Sequence, residues 1–361
     1  MRNRKKIALI CNYVLLPERV GGMDHFFWQF DATCKANDIQ VDWFFPNRAQ
    51  HGEYGNLTIF DSNHQSVESF FLDFCFRKDS GYTYVITHFV ELCTPFFKKL
   101  KKASHAKIIA IDHNPRPING YPLKKKIEKK VKGFLYSKYI DQFVGVSNYT
   151  VGEIIKDFGY QVKSKSKTIY NGVLIENIAV REERKFSTPT FLVVSHLRES
   201  KGIQDLIMAV HHLPLEIKNE LKIDIYGDGP YKNSLLEKIK KYQLEDCFSF
   251  KGSHSNLNEI FSNYDYMLQP THMECFSLSI LESLAANVPV ITTHVGGNEE
   301  AVIDGVNGYI FKAKDSMALT AIIEEVFFGR KKIYTNTRIA IENKFSLKKM
   351  VHEHFALLLK N

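Results

Sequence analysis

Glu274 and Glu282 stand eight positions apart in the stretch 269–302, which reads QPTHMECFSLSILESLAANVPVITTHVGGNEEAV. A loop carrying Thr271, His272 and Glu274 leads into FSLSILESLAA, which reads as the first turns of a helix with Ser277 as its N-cap. The pre-proline Val288 and Pro289 stop that helix, and VPVIT reads as a buried strand. This spacing puts Glu274 at the mouth of a loop and Glu282 one to two turns into the helix. The unpaired N–H groups near Leu278 and Ser279 would lie between them. Such a helix start favours anions, because its orphan donors and the macrodipole both present positive charge. A phosphate held there has a carboxylate on either side, each able to accept hydrogen bonds from hydroxyl groups. That describes a pocket for a nucleotide sugar; the plainer alternative is an amphipathic helix with two solvated glutamates.

A second set of residues could meet the charge of such a ligand. His196, Arg198 and Lys201 share the loop HLRESKG, and cations beside a helix start suit a diphosphate, with Gly202 letting the backbone come close. An ordinary solvated loop is the alternative. Gly21 and Gly22 follow the first apolar segment and precede a helix, where a glycine turn allows close approach to a phosphate or an acceptor. His113 ends an apolar segment before the turn Asn114-Pro115-Arg116-Pro117, either as a ligand-facing group at the carboxyl edge of a sheet or as a satisfied structural histidine. Gly227-Asp228-Gly229-Pro230 lacks the third glycine of a dinucleotide fingerprint, and Pro230 suits a first helical turn, so this motif reads as structural. The fourteen histidines form no H-E-x-x-H, and no Asp-x-Asp lies in a loop after a strand. No metal is therefore expected, and protein cations would have to neutralise phosphate charge.

These residues need a scaffold that brings loop ends together. Short apolar segments alternate with helical ones along most of the chain, which predicts parallel α/β sheets. Strands are predicted at 6–11, 39–45, 84–88, 107–111, 142–146 and 167–170, and helices at 26–36, 96–103, 122–139 and 148–158; 46–80 reads as irregular. The polar stretch 174–189 marks a boundary. A second alternating set follows, with a terminal helix at 347–359. Two doubly wound domains would place a cleft between the carboxyl ends of both sets of strands, where such folds bind ligands.

A length of 361 residues suits two domains of common size, and 44% hydrophobic with 24% charged residues is a globular composition. The apolar runs are too short to span a bilayer. The start, basic and then apolar, reads as a first strand rather than a leader, because Asn12 and Tyr13 interrupt it and no small-residue cleavage site follows. Six scattered cysteines without a C-x-x-C suggest packed thiols in a reducing cytoplasm. The net charge of +8 is local, since residues 98–138 hold thirteen Lys/Arg against Asp112 and Glu128. Within that stretch Leu123, Ile127, Val131, Phe134 and Leu135 share one face of the 122–139 helix, and Lys124, Lys125, Lys126, Lys129, Lys130 and Lys132 cover most of the rest. Such a helix suggests contact with an anionic membrane surface on its cytoplasmic side; the alternative is that the apolar face packs on the sheet and the lysines are merely solvated, and both hold together if the lysines alone meet headgroups. Nucleic acid fits less well, because the patch lacks interleaved aromatics.

Taken together, the motifs resemble the family 4 retaining glycosyltransferases of GT-B fold, over nearly the whole chain and most closely over 190–311. The signature of that family is a proline, a short loop, Glu-x7-Glu, a helix, Gly-x-Pro-Val and a Gly-Gly turn with a Glu, standing here as PTHMECFSLSILESLAANVPVITTHVGGNEE. IYNGV at 169–173, GDGP, FKG at 250–252 and DGVNGYIF at 304–311 also match. The resemblance implies two Rossmann-like domains, 1–173 on the acceptor side with a helix at 346–361 crossing back, and 174–345 for the nucleotide sugar. It implies an anomer-retaining, metal-independent transfer from a nucleotide-diphosphate sugar, a UDP-sugar among the candidates, to a glycan or lipid-linked acceptor in bacterial surface polysaccharide synthesis. Glu282 would bind the ribose hydroxyls, Glu274 the donor sugar, and backbone amides at Phe276, Ser277, Leu278 and Ser279 the sugar or phosphate. Lys201 would neutralise the diphosphate and Lys251 would belong to the donor site. Gly22 would approach the phosphates, and His113 would lie by the transferring sugar. Where the family has an arginine five positions before this lysine, the chain has His196, with Arg198 two positions later as a substitute. Cys275 and Ser277 stand where the family has glycines. A non-catalytic sugar- or nucleotide-binding relative of the same fold is the alternative, and a nicotinamide-dependent oxidoreductase is disfavoured by the missing third glycine.

Overall fold

β1 (Lys6–Cys11) is buried at every position after its lysine, as expected of a central strand of a parallel sheet covered on both faces. The computed structural model describes residues 5–77, 81–182 and 188–359. After β1 come α1 (Gly22–Ala36), β2 (Gln40–Phe45), β3 (Thr58–Asp61), α2 (Val67–Arg77), β4 (Tyr84–His88), α3 (Pro95–Ala103) and β5 (Lys107–Asp112). Then follow α4 (Leu123–Tyr136), β6 (Gln142–Gly145), α5 (Asn148–Phe158) and β7 (Ser166–Thr168). All seven strands pair in parallel in the order β3-β2-β1-β4-β5-β6-β7.

The second set opens with β8 (Thr190–Val194), α6 (Ile203–His212), α7 (Leu215–Glu220), β9 (Lys222–Tyr226), α8 (Lys232–Lys241), β10 (Phe248–Gly252) and α9 (Leu257–Ile260). β11 (Tyr266–Gln269), α10 (Leu278–Ala285), β12 (Val290–Thr293), α11 (Asn298–Ala301), β13 (Gly308–Phe311), α12 (Ser316–Phe327) and α13 (Arg338–Lys344) complete it. These six strands are also parallel, in the order β10-β9-β8-β11-β12-β13. The last helix, α14 (Leu347–Leu357), belongs to the first unit, which otherwise ends at Asn171; the second unit is Gly172–Ser346. Within the first unit α14 packs on α1, with the His354 ring 4.7 Å from that of Phe26. Each unit has its own core, one around Phe44, Phe71, Phe97 and Phe143, the other around Phe191, Leu206, Ile225 and Leu268.

Three expectations are corrected. The stretch read as irregular holds β3 and α2. Val67, Phe70, Phe71 and Phe74 follow a helical period, Ser66 Oγ accepts from Ser69 N at 3.2 Å, and Phe71 meets Phe44 edge-on at 4.6 Å; residues 78–80 lie outside the described residues. α1 starts one turn early, at Gly22, because the buried carboxylate of Asp24 accepts from Gly21 N (2.9 Å) and from Tyr13 and Tyr54.

The third concerns α4. Its apolar face does not pack on the sheet: Leu123, Ile127, Val131, Phe134 and Leu135 are all exposed. The inward side carries Lys129 and Gly133. Lys129 is buried, ion-paired to Asp157 at 3.0 Å and set over the rings of Tyr121 and Phe158, so it cannot meet a headgroup. A Cβ on Gly133 would lie 2.0 Å from the Phe158 carbonyl oxygen, so only glycine lets α4 settle on α5 here. The physical cause is Asp157. A buried carboxylate must be paired, and Arg116 (2.9 Å) and Lys129 both turn toward it.

Candidate active site

β8 and β11 are neighbours although β9 and β10 intervene in sequence, so the strand order reverses between them. At such a point the loops leaving the strands diverge and open a crevice. The loop after β8 carries His196, Arg198 and Lys201, and the loop after β11 carries Glu274. Lys201 Nζ lies 2.8 Å from Glu274 Oε2. An ammonium has three donors, so a phosphate oxygen can join this pair without displacing the carboxylate.

Ser277 caps α10, accepting from Ile280 N at 3.4 Å, and is itself held by Gln269 Nε2 at 2.9 Å. The N–H groups of Leu278 and Ser279 carry no hydrogen bond among the described residues. Glu282 follows one turn later, and Leu278, Ser279 and Glu282 are the half-buried residues of a helix start whose other side faces the core. The Glu282 carboxylate has no polar partner among the described residues, and burial pushes it up to about 7. Leaving such a group unpaired is costly, and hydroxyl donors from a ligand would remove the cost. The Phe276 ring is core, packed 5.2 Å from Phe345, and so is turned away from any ligand.

The loops are stitched to each other by the backbone. His272 N donates to Ser200 O at 2.8 Å, and Thr271 Oγ1 to the same oxygen at 3.2 Å. Gly202 has φ +70°, and a Cβ there would lie 1.8 Å from Pro270 O. Its close approach is thus to the neighbouring loop, which corrects the expectation that it serves a ligand. Gly227, at φ +119°, packs likewise on the Ser195 carbonyl, and Leu197 N donates to Asp228 O at 2.9 Å. The GDGP motif is therefore a buttress for the cationic loop, as its structural reading held. Leu197 is fully buried while His196 and Arg198 on either side are exposed. The Arg198 guanidinium has no polar partner among the described residues.

Lys251 is not gathered into this cluster. It sits in the edge strand β10, pairs with Asp224 at 3.3 Å, and shares no hydrogen bond or ion pair with the loop residues among the described ones.

In the first unit the reversal falls between β1 and β4, where Asn12 N donates to His88 O at 3.1 Å. Gly22, at the start of α1, lies on the loop leaving β1. His113, just past β5, has Nε2 3.0 Å from His88 Nδ1 and its ring stacked on Phe89 at 4.2 Å. Burial lowers His113 to about 3 and pushes the enclosed His88 well below the usual histidine range, so both are neutral at pH 7. A cavity of about 500 Å³ adjoins the ends of β1, β4 and β5, lined by Asn12, Phe89, Asp112, Arg116 and Tyr121 among others. Arg116 bridges Asp112 (2.7 Å) and Asp157 (2.9 Å) in its wall. This cavity was not anticipated. Its one sequence signal is Asp112 and Arg116 flanking the Pro115 turn, and Asp157 comes from a distant helix. Among the described residues, no group of three or more His, Cys, Asp or Glu is placed to hold a metal ion.

Residues 175–339, which lie within the second unit, match the family described as Glycosyl transferases group 1. The chain is 33% identical over 123 residues to an N-acetyl-alpha-D-glucosaminyl L-malate synthase of Bacillus anthracis, covering 34% of this chain and 32% of that protein. It is 32% identical over 142 residues to Protein CapJ of Staphylococcus aureus, covering 38% and 35%. The chain thus matches only about a third of the length of these curated relatives. Solved structures are similar over their whole length. An Anabaena protein, HepE, in complex with UDP aligns at TM-score 0.76 and 16% identity, covering 98% of this chain and 99% of that one. The apo lipopolysaccharide outer core galactosyltransferase WaaB aligns at TM-score 0.74 and 19% identity, covering 99% and 100%. The fold is accordingly that of the GT-B glycosyltransferases, two Rossmann-like units of seven and six parallel strands.

Proposed function

We propose that the chain is an anomer-retaining glycosyltransferase that moves a sugar from a nucleotide diphosphate to a glycan or lipid-linked acceptor in surface polysaccharide synthesis at the cytoplasmic face of a membrane. The observation that carries this reading is the grouping at the β8/β11 reversal. There a Lys201–Glu274 pair at 2.8 Å, two unbonded N–H groups at Leu278 and Ser279, and an unpartnered Glu282 stand on adjoining segments. Cation and helix start suit a diphosphate; the carboxylates suit the hydroxyls on either side of it. The family matched by residues 175–339 favours the same assignment.

In this reading Glu282 takes the ribose hydroxyls and Glu274 a hydroxyl of the donor sugar. As the bond from the sugar's anomeric carbon to the diphosphate oxygen breaks, negative charge grows on that oxygen. Lys201, Arg198 and the α10 amides stabilise it without a metal. The acceptor hydroxyl attacks from the same face, and its proton passes to the departing diphosphate. Charge preorganised in this way is typically the largest catalytic contribution. His113, held neutral by burial, adds no charge beside the transferring sugar.

The test is a panel of nucleotide sugars screened by thermal shift, UDP-sugars first because the HepE neighbour was solved with UDP. At a hundred times its Kd, a donor stabilises the protein by about 2.7 kcal/mol, so the right one stands out. Stabilisation by a UDP-sugar with slow release of free sugar supports transfer chemistry. Binding without any sugar release points to a non-catalytic relative, and no stabilisation across the panel overturns the donor site.

A further inference from the structure

Helix α4 has the amphipathic pattern of a soluble helix turned inside out. Leu123 is 74% exposed, Ile127 56%, Val131 50% and Phe134 78%. At 100° per residue these four fall within one side of the helix, opposite Lys129 and Gly133, which fix it to α5. The helix cannot roll to hide the stripe without burying lysines and breaking the Lys129–Asp157 pair. Apolar patches of this kind on a soluble domain mark interaction sites.

Charge identifies what covers the stripe. Lys125 and Lys132 are neutralised by Glu128, and Lys132 also by Glu91. Lys124, Lys126 and Lys130 are exposed and have no carboxylate partner among the described residues. A protein partner with an apolar groove would leave these three cations to find their own counter-ions. An anionic bilayer offers both acyl chains and negative headgroups in one surface, about 1 kcal/mol for each lysine near it.

We propose that α4 is a membrane-insertion helix whose Leu123, Ile127, Val131 and Phe134 enter the headgroup–acyl boundary of an anionic bilayer while Lys124, Lys126 and Lys130 bind its headgroups. This deepens the reading of a lipid-linked acceptor and rests on it only for where that acceptor is found. The inner side of the helix lines the cavity of the first unit through Lys125 and Lys129, so insertion would hold that cavity against the membrane.

The experiment uses the full chain and vesicles of phosphatidylcholine with or without phosphatidylglycerol, and needs neither donor nor acceptor. A failure here therefore leaves the thermal-shift result untouched, and the reverse. Wild-type protein should sediment with the phosphatidylglycerol vesicles. Ile127→Ser with Phe134→Ser, at exposed positions that should leave the melting temperature unchanged, should weaken binding by about tenfold or more. Lys124→Gln with Lys126→Gln and Lys130→Gln should weaken it and flatten its salt dependence. Phe134→Trp should be quenched by brominated acyl chains, whereas the native Trp28 and Trp43 are buried and should not be. Binding with no quenching of Phe134→Trp would mean that the lysines alone adsorb and would overturn insertion. Absence of vesicle binding, or a dimer in solution that Ile127→Ser with Phe134→Ser makes monomeric, would also overturn it.

Discussion

The two sheets reverse strand order at equivalent places, after β1 and after β8, and the two reversals are built from opposite chemistry. After β8 the loops carry a solvent-reachable ion pair, an unbonded helix start and a carboxylate without a partner. Beside β1, at the ends of β4 and β5, stand rings: His88, Phe89 and His113, the histidines held neutral by burial. One topology thus yields a reversal whose charged groups include an unpartnered carboxylate, and one where neutral rings stand beside charges already paired to each other, Asp112 and Asp157 with Arg116. The strand ends set where loops diverge; what the loops bury sets their charge. A site meant for a diphosphate needs the first, and one meant for sugar hydroxyls is served by the second.

The sharpest way to break this contrast is to remove charge from the C-terminal reversal. Lys201→Ala and Glu282→Ala are each expected to lower kcat/KM by about a hundredfold or more, the size of effect seen when a preorganised charge partner is lost. His113→Asn, which keeps a neutral hydrogen-bonding group at the other reversal, should cost less than about tenfold. Steady-state kinetics on the donor found by thermal shift decides it. Comparable losses in all three variants would erase the distinction between the two sites.

The next effect is on stability. Gly202→Ala and Gly227→Ala each put a Cβ within about 2 Å of a carbonyl oxygen, Pro270 O and Ser195 O, at positive φ. The backbone conformation alone costs about 1–3 kcal/mol, and the clash adds to it. Hydrogen exchange should rise across 195–202 and 270–274, while the first unit is unaffected.

Why some of this was legible and some not follows from the same two regions. Ser277 and its helix, Lys201, Glu274 and Glu282 could be placed from sequence, because an N-cap, a pre-proline stop and alternating apolar runs are local signals. The Lys201–Glu274 pair could not, since it joins residues seventy-three positions apart through loop geometry. Gly202 read as a ligand contact because a glycine's reason for being small is the atom it touches, here the carbonyl of Pro270. The α4 orientation was misread for a related cause. The lysine-and-leucine pattern fixes two faces but not which is inward, and Asp157, on another helix, decides that. β3 and α2 were missed although the Phe70, Phe71 and Phe74 spacing was there to be read.

pH should pull the two regions in opposite directions. Glu282 is raised from 4.5 to about 7, so the folded state keeps a proton that the unfolded chain has released. Its contribution to stability falls as pH rises from 4.5 to 7 and stays low above that. The ceiling is about 3 kcal/mol. His113 and His354, lowered from 6.5 to about 3 and about 4, do the reverse: the unfolded chain takes up protons first, and stability is lost as pH falls below 6.5. Both tryptophans, Trp28 and Trp43, lie in the first unit, so their fluorescence should show earlier melting between pH 6.5 and 5. Protection of α10 amides, corrected for the intrinsic pH dependence of exchange, should rise over the same range, and Glu282→Gln should remove that rise. If Glu282 accepts the ribose hydroxyls as proposed, donor affinity should rise with pH through about 7.

The smallest expected effect separates Arg198 from His196 as the second cation of the charged reversal. Both are exposed beside buried Leu197, but the Arg198 guanidinium is without a polar partner among the described residues, and a guanidinium keeps its charge at every working pH. Arg198→Ala should lower kcat/KM by about tenfold and Arg198→Lys by less, because a charge-assisted hydrogen bond to phosphate is worth about 1.5–3 kcal/mol and lysine keeps the charge but not the fork. His196→Ala should change it by no more than about threefold. The pH profile gives a second readout. A histidine in this role would make kcat/KM fall as rising pH removes its charge, against the rise expected from Glu282. A wild-type profile that rises through pH 7 and keeps its shape in His196→Ala assigns the charge to Arg198. A profile that falls in wild type and flattens in His196→Ala would move the assignment to His196.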